Sequence, residues 1–333
     1  MSRRRIAEIA FLVLAPVVIF AVASEVLLRL YLSRNIFYDV EMSRYGVELK
    51  VDSPNPRVGH HHAPNREVRL MGVMLRTNAD GFRDDEVPVA RDDRRRIVFL
   101  GDSLTLGWGV EKEDTFEHRL ETMLGAQAPT DVLNLGVGNY NTTQEVGLFV
   151  DKGLKYAPDQ VVLFYFINDA EPVPRKARFP GLGHSRLVTF YWSRIKMLKA
   201  RITPTAGFRE YYAALYRDGA EGWQESREAL ARLAALRREH GFDLRVVILP
   251  ELHDLVDYPF ESEHAKVAAA ARELDIPVLD LAPRFAGETD PQSLWVSLDD
   301  AHPNARAHAR IAEYSLDFIS EGLADGLEEG SGS

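Results

Sequence analysis

Residues 97–110 read IVFLGDSLTLGWGV. Four apolar residues, Ile97 to Leu100, run straight into Gly101-Asp102-Ser103. A short apolar run bounded by glycine suits a strand buried on both faces. Ser103 then stands at the carboxyl end of that strand, where a helix is expected to begin. The same kind of run recurs as VLNL at 132–135, VVLFYF at 161–166, LRVVIL at 244–249 and IPVLDL at 276–281. Between the runs, apolar residues return at helical spacing. Phe116, Leu120, Met123 and Leu124 mark one face, and Leu230, Leu233, Ala234 and Leu236 mark another in a segment closed by Gly241. Val267, Ala271 and Leu274 mark a third, and the stretch from Ala305 to Leu323 a fourth. Strands alternating with helices predict an α/β fold, with parallel strands, crossover connections and helices on both faces. Such sheets place their sites in loops beyond the carboxyl ends of the strands.

The chain carries 50 acidic against 40 basic residues, a formal charge of −10. That balance argues against general nucleic-acid binding, which needs a basic footprint. There is no cysteine, so disulfides, thiol catalysis and thiolate metal sites are excluded. The N-terminus is basic through Arg3, Arg4 and Arg5, and residues 9–24, IAFLVLAPVVIFAVAS, carry no charge. A spanning helix needs about 20 mostly apolar residues, and Ile6 to Leu32 supplies them when Glu8, Glu25 and Arg29 sit near the interfaces. Arginines ahead of the span predict a cytoplasmic N-terminus. A signal peptide cut after Ala21-Val22-Ala23 is the competing reading. The apolar residues that continue past this point favour a retained anchor.

Residues 33–95 show few periodicities and are punctuated by Pro54, Pro56 and Pro64. The segment 170–221 interrupts the strand–helix alternation. Its stretch RLVTFYWSRIKMLKAR, 186–201, mixes Phe190, Tyr191 and Trp192 with basic residues. A substrate lid, a patch on the membrane surface and a helix packing its aromatics inward are all compatible with it.

A serine hydroxyl becomes a nucleophile when a base takes its proton, and a carboxylate must orient that base. Among ten histidines, His302 stands apart, in a loop before the last helix, with Asp299 three residues ahead. An oxyanion hole needs donors aimed where negative charge develops. The turn in VLNLGVGNYNT, 132–142, offers backbone N–H groups, and Asn168, at the end of VVLFYFINDA, offers a side-chain amide. The run His60-His61-His62 is a poor metal site, since three consecutive side chains rarely converge. Neither a G-x-x-x-x-G-K-[ST] loop nor a G-x-S-x-G elbow is present.

Taken together, these blocks resemble the SGNH (GDSL) hydrolase family. The matching residues are Gly101-Asp102-Ser103-Leu104, then Asn134-Leu-Gly136-Val-Gly138-Asn139-Tyr-Asn141-Thr, then Ile167-Asn168-Asp169, and last Asp299-Asp-Ala-His302-Pro303. The stretch LRTNADGFRDDEV, 75–87, is similar to the lead-in of membrane-anchored members. The resemblance implies a three-layer α/β/α fold around a parallel five-stranded sheet, flavodoxin-like, preceded by the N-terminal transmembrane helix. It implies Ser103 as nucleophile, His302 as base and Asp299 as the acid that orients it. Asp300 is a substitute that the family spacing disfavours. The oxyanion hole would use the Ser103 N–H, a backbone N–H at Gly138 or Asn139, and the Asn168 amide. Family members usually carry glycine where this chain has Asn139, a residue that tolerates left-handed backbone better than most.

The expected organisation is a stub and anchor at 1–33, a lead-in at 34–95 packing on the catalytic domain, the hydrolase domain at 96–325 with its insertion at 170–221, and a flexible tail at 326–333. The expected function is a serine esterase of the cell membrane, single-pass, with an extracytoplasmic (periplasmic or extracellular) catalytic domain. It would hydrolyse small-molecule or polysaccharide esters, O-acyl carbohydrates first, through an acyl-Ser103 intermediate. No metal or organic cofactor is implied. Three rivals stand beside it: an O-acyltransferase working with an integral-membrane acyl donor, a non-catalytic envelope scaffold, and a lipase fed from the membrane.

Overall fold

The computed structural model of the chain describes residues 3–173, 184–202 and 207–330. Part of the expected insertion, 174–183 and 203–206, and the last three residues lie outside the described residues. The chain divides into two compact units, Met1–Glu48 with Arg178–Thr205, and Leu49–Ala177 with Ala206–Ser333. Residues 49–95 thus share a unit with the central sheet, and residues 34–48 share one with the N-terminal helix.

In the first unit, α1 (Arg3–Leu32) is long and apolar enough to cross a membrane or to be a signal sequence. Large apolar side chains along it, from Ile6 through Phe11, Phe20 and Leu27 to Tyr31, are exposed. Helices α2 (Tyr38–Glu48) and α6 (Arg186–Ile202) complete the unit. Glu25 accepts the backbone N–H groups of Arg186 at 2.9 Å and Leu187 at 2.8 Å, and the Ser185 hydroxyl at 2.9 Å. A carboxylate there satisfies donors that a helix start leaves unpaired. Phe190 turns inward, its ring edge-on to Phe37 at 5.8 Å with Arg194 over it, while Tyr191 and Trp192 stay exposed.

The second unit is built on a parallel five-stranded sheet. Its strands are β1 (Arg95–Leu100), β2 (Thr130–Asn134), β3 (Gln160–Tyr165), β4 (Asp243–Ile248) and β5 (Val278–Asp280). The spatial order is β2-β1-β3-β4-β5. β-Strand side chains alternate between faces, and β1 shows it. Val98 and Leu100 join one core with α5 (Thr142–Leu148), α8 (Glu221–His240) and α9 (Glu261–Arg272). Ile97 and Phe99 join the other with α4 (Phe116–Gly125), α10 (Ala282–Phe285) and α11 (Ala305–Gly330). Three layers result. Gly241 closes α8 in left-handed geometry, φ 77°, and α11 continues past 325, to Gly330.

Because β1 lies between β2 and β3, the chain leaves the sheet in opposite directions on its two sides. The carboxyl ends of β1 and β3 therefore flank a crevice, the usual ligand site of a doubly wound sheet. Short α3 (Ser103–Leu106) follows β1, and a 3-10 turn, Ile167–Ala170, follows β3. Three antiparallel ladders surround the sheet: Lys50–Asp52 with His60–His62, Glu67–Leu70 with Val73–Arg76, and Trp295–Ser297 with Asp300–Pro303. α7 (Phe208–Leu215) packs near the Ile167–Ala170 turn.

Candidate active site

Ser103 is the first residue of α3, and Asp102 caps it by accepting the Leu104 N–H at 2.8 Å. As a first helical residue, Ser103 has an N–H with no partner within the helix. A Cβ on Gly101 would lie 2.0 Å from the Thr105 hydroxyl, and one on Gly136 would lie 2.3 Å from the Leu106 nitrogen. Glycine at 101 leaves room for the Thr105 side chain, and glycine at 136 lets the second block pack against the backbone of Thr105 and Leu106, just past Ser103.

The His302 Nε2 lies 2.8 Å from the Ser103 Oγ. The His302 Nδ1 meets the Oδ1 of Asp300, and the His302 backbone N–H also reaches that oxygen, at 3.2 Å. The orienting acid in the structure is therefore Asp300, which corrects the expectation of Asp299. The reason is local. Asp300 and His302 lie two apart on one β-strand, so their side chains share a face. Asp299 is exposed at the hairpin turn and accepts the Ser297 hydroxyl at 2.5 Å. The second oxygen of Asp300 accepts the indole N–H of Trp108 at 3.0 Å. Both Trp108 and Asp300 are buried. An imidazole that donates from Nδ1 to a carboxylate presents Nε2 as the acceptor, the tautomer that a general base requires.

The remaining candidates converge from two strand ends. The Asn168 Nδ2 donates to the Asp102 Oδ2 at 2.9 Å, which fixes the amide and leaves its second hydrogen for another acceptor. Asn139 adopts φ 65°, the left-handed geometry in which a glycine is the usual choice. No partner for the Asn139 N–H is found among the described residues. Buried Lys50 holds this turn, with its Nζ on the Gly138 carbonyl and 3.1 Å from the Asn139 Oδ1. Gly138 thus contributes a bound carbonyl. The backbone N–H of Ser103, that of Asn139 and the Asn168 amide all stand in the segments that follow sheet strands, where a hole for an oxyanion would need its donors.

Beneath the donors lie three buried carboxyls that the sequence reading did not single out as a group: Asp102, Asp169 and Glu145. Burial pushes Asp102 up. Burial and then the neighbouring Asp102 push Asp169 well up, and burial and then Asp169 do the same for Glu145. Burial and mutual repulsion thus disfavour the charged forms of Asp169 and Glu145 in this cluster.

The lead-in also reaches the site. Arg83, from the GFRD stretch, is buried and donates to the carbonyls of Leu106 at 2.8 Å, Gly107 at 2.6 Å and Val110 at 2.6 Å. It cradles the loop that follows the nucleophile and carries Trp108. Asp84 accepts the Asn134 N–H at 2.9 Å, tying the second block to the same segment. His60 to His62 form a strand of the ladder with Lys50–Asp52, so the middle side chain points away from its neighbours. Among the described residues no cluster of metal-ligating side chains is found.

The family model of the GDSL-like lipase/acylhydrolase family matches residues 99–310. That is more than half of the chain, and the chain belongs to this family. Its solved structural neighbours include a putative lipolytic protein of the G-D-S-L family from Desulfitobacterium hafniense, at 16% identity and TM-score 0.42, covering 67% of this chain and 99% of that one. The acetyl xylan esterase AlAXEase is similar at 13% identity and TM-score 0.42, with 67% and 99% covered. A two-domain esterase active on acetylated mannans is similar at 17% identity and TM-score 0.43, with 68% and 49% covered. No curated protein matches the chain significantly.

Proposed function

We propose that this protein is a serine esterase that hydrolyses O-acyl esters of carbohydrates through an acyl-Ser103 intermediate, from an extracytoplasmic domain anchored by α1. The observation that carries the reading is the continuous line Ser103 Oγ, His302 Nε2, His302 Nδ1, Asp300. In the first half-reaction, His302 takes the Ser103 proton while the Oγ attacks the ester carbonyl. The oxygen that becomes negative is received by the N–H groups of Ser103 and Asn139 and by the Asn168 amide. Collapse of the tetrahedral adduct breaks the bond to the alcohol, and His302 returns the proton to the leaving oxygen. Water then repeats the sequence against the acyl-serine, with His302 again as base. Arg3, Arg4 and Arg5 ahead of the apolar helix support a cytoplasmic N-terminus and an exported catalytic unit.

The test uses the full chain in detergent with p-nitrophenyl esters of increasing acyl length, beside Ser103→Ala and His302→Ala. Ser103-dependent turnover of the acetate supports the reading, and an optimum at long chains points to a lipase instead. Stable acylation of Ser103 with slow release points to transfer onto another acceptor. A folded protein with neither turnover nor label removes the catalytic reading.

A further inference from the structure

Beyond His302, the loop after β4 carries a second imidazole–carboxylate pair. Glu251 is 4% exposed. One of its oxygens meets the His253 Nδ1, and the other accepts the His253 backbone N–H at 3.0 Å. The Glu251 N–H is in turn held by the Tyr258 hydroxyl at 3.1 Å. The rings of Phe208 and Trp295 lie against the imidazole, with centroids 5.1 and 4.8 Å away. Trp295 is itself fixed, its indole N–H on the Leu252 carbonyl at 2.9 Å. The His253 side chain nevertheless stays 49% exposed, and its Nε2 has no hydrogen-bond partner among the described residues. The Glu251 bond favours the charged imidazole, in which Nε2 carries a proton. His253 is thus a polar group set in place by a buried acid and open at its far end.

Its neighbours show which side of the site it serves. Trp295 stands opposite Pro303 in the hairpin that carries His302. From Phe208 the rings continue through Tyr212, at 5.0 Å, to Tyr211, at 5.2 Å, whose hydroxyl donates to Glu171 at 2.8 Å. The arc therefore runs from the hairpin of the base to a point three residues past Asn168. In the acyl transfer proposed above, His302 hands its proton to the leaving oxygen, so the alcohol portion of the ester lies on the hairpin side. Phe208 and Tyr211 are 49% and 45% exposed. Aromatic faces of this kind, interleaved with polar groups, suit a ring that has one apolar face and hydroxyls at its edge. The carboxylates of Glu171 and Glu251 disfavour a polyanion.

We propose that Phe208, Tyr211, Trp295 and the His253–Glu251 pair form the subsite for the alcohol portion of the substrate, a neutral saccharide whose ring packs on the aromatic faces while the His253 Nε2 hydrogen-bonds a sugar hydroxyl. This rests on the esterase reading and adds the residue that selects the alcohol. The test compares the wild-type chain with His253→Phe, which keeps a ring and removes the hydrogen-bonding group, and His253→Gln, which restores one. Acetate release is measured from acetylated xylo-, manno- and gluco-oligosaccharides and from ethyl acetate, whose alcohol is too small to reach the arc. The expected result is that His253→Phe lowers the ratio of kcat/KM on the best saccharide to that on ethyl acetate tenfold or more, chiefly through KM, with partial recovery in His253→Gln. A ratio within twofold of wild type overturns the proposal. Binding of the same saccharides to Ser103→Ala, read by tryptophan fluorescence, needs no turnover and separates the two readings. Binding that His253→Phe weakens tenfold supports the subsite even where no ester is hydrolysed. Absence of binding, or binding that His253→Phe leaves unaltered, removes it.

Discussion

Replacing Asp300 by asparagine tests the assignment of the acid, because the two oxygens of this buried side chain have different donors. One receives the imidazole Nδ1–H and the other the indole N–H of Trp108. An asparagine has one oxygen to offer. If it faces Trp108, the amide hydrogens face Nδ1, and the imidazole turns to the tautomer that cannot accept the serine proton. If it faces His302, two donors confront each other at Trp108, at a cost of about 1–3 kcal/mol for the unpaired buried group. The first outcome is expected to lower kcat about 10⁴-fold, as loss of the correct tautomer does in serine hydrolases, equivalent to about 5 kcal/mol of barrier. Asp299→Asn alters an exposed carboxylate paired with Ser297 and is expected to leave kcat within twofold. The assay is steady-state hydrolysis of p-nitrophenyl acetate, with circular dichroism to confirm folding. A loss in Asp299→Asn comparable to that in Asp300→Asn would refute the strand-alternation argument, as would an Asp300→Asn enzyme retaining more than a tenth of wild-type kcat with undiminished stability.

Three further outcomes follow from other parts of the unit. Asn139→Gly is expected to keep activity within a few-fold, since the donor is the backbone N–H and glycine accepts φ 65° freely, whereas Asn139→Val should lose stability by about 1–3 kcal/mol and activity with it, read by thermal melts and the same ester assay. His308 accepts the Phe116 N–H at 2.9 Å and is held neutral by burial, its pKa pushed down to about 3. Since the unfolded chain binds this proton from about pH 6.5, the contribution is complete above that pH and is lost as pH falls toward 3, by about 1.4 kcal/mol per pH unit; urea titrations should show a shallower acid loss in His308→Gln. Arg83→Met removes the Arg83 donor from the buried carbonyls of Leu106 and Val110, while that of Gly107 keeps the Val110 N–H at 3.1 Å, and is expected to cost about 3–5 kcal/mol, visible as a large drop in melting temperature.

The sheet was legible because each buried strand is a compact apolar run with glycine or a polar turn after it, as IVFL before Gly101 shows. The places of Ser103, Asn168 and His302 were legible for the same reason, since the first two follow strands and the third precedes a helix. Asp299 was misread because three-residue spacing in a block was given precedence over the two-residue period of the hairpin that carries it. Nothing local links Trp108 to Asp300, which stand 192 residues apart, and only the folded chain brings them together. Nothing in the sequence singles out His253, because its distinguishing features, a buried carboxylate on one nitrogen and aromatic rings beside it, are tertiary. Glu145 and Asp169 sit in segments that read as an ordinary helix and turn, and their burial is a property of the assembled core.

The side chain of Arg83 bears on modularity. The recognisable family segment begins at residue 99, yet a guanidinium contributed from outside it holds the loop behind the nucleophile. A chain cut at the first sheet strand would carry the whole signature and lack the clamp that shapes its catalytic turn. The portable unit of this enzyme is therefore longer than its motif, and a graft or fusion that respects only the motif would inherit a serine in a loosened frame.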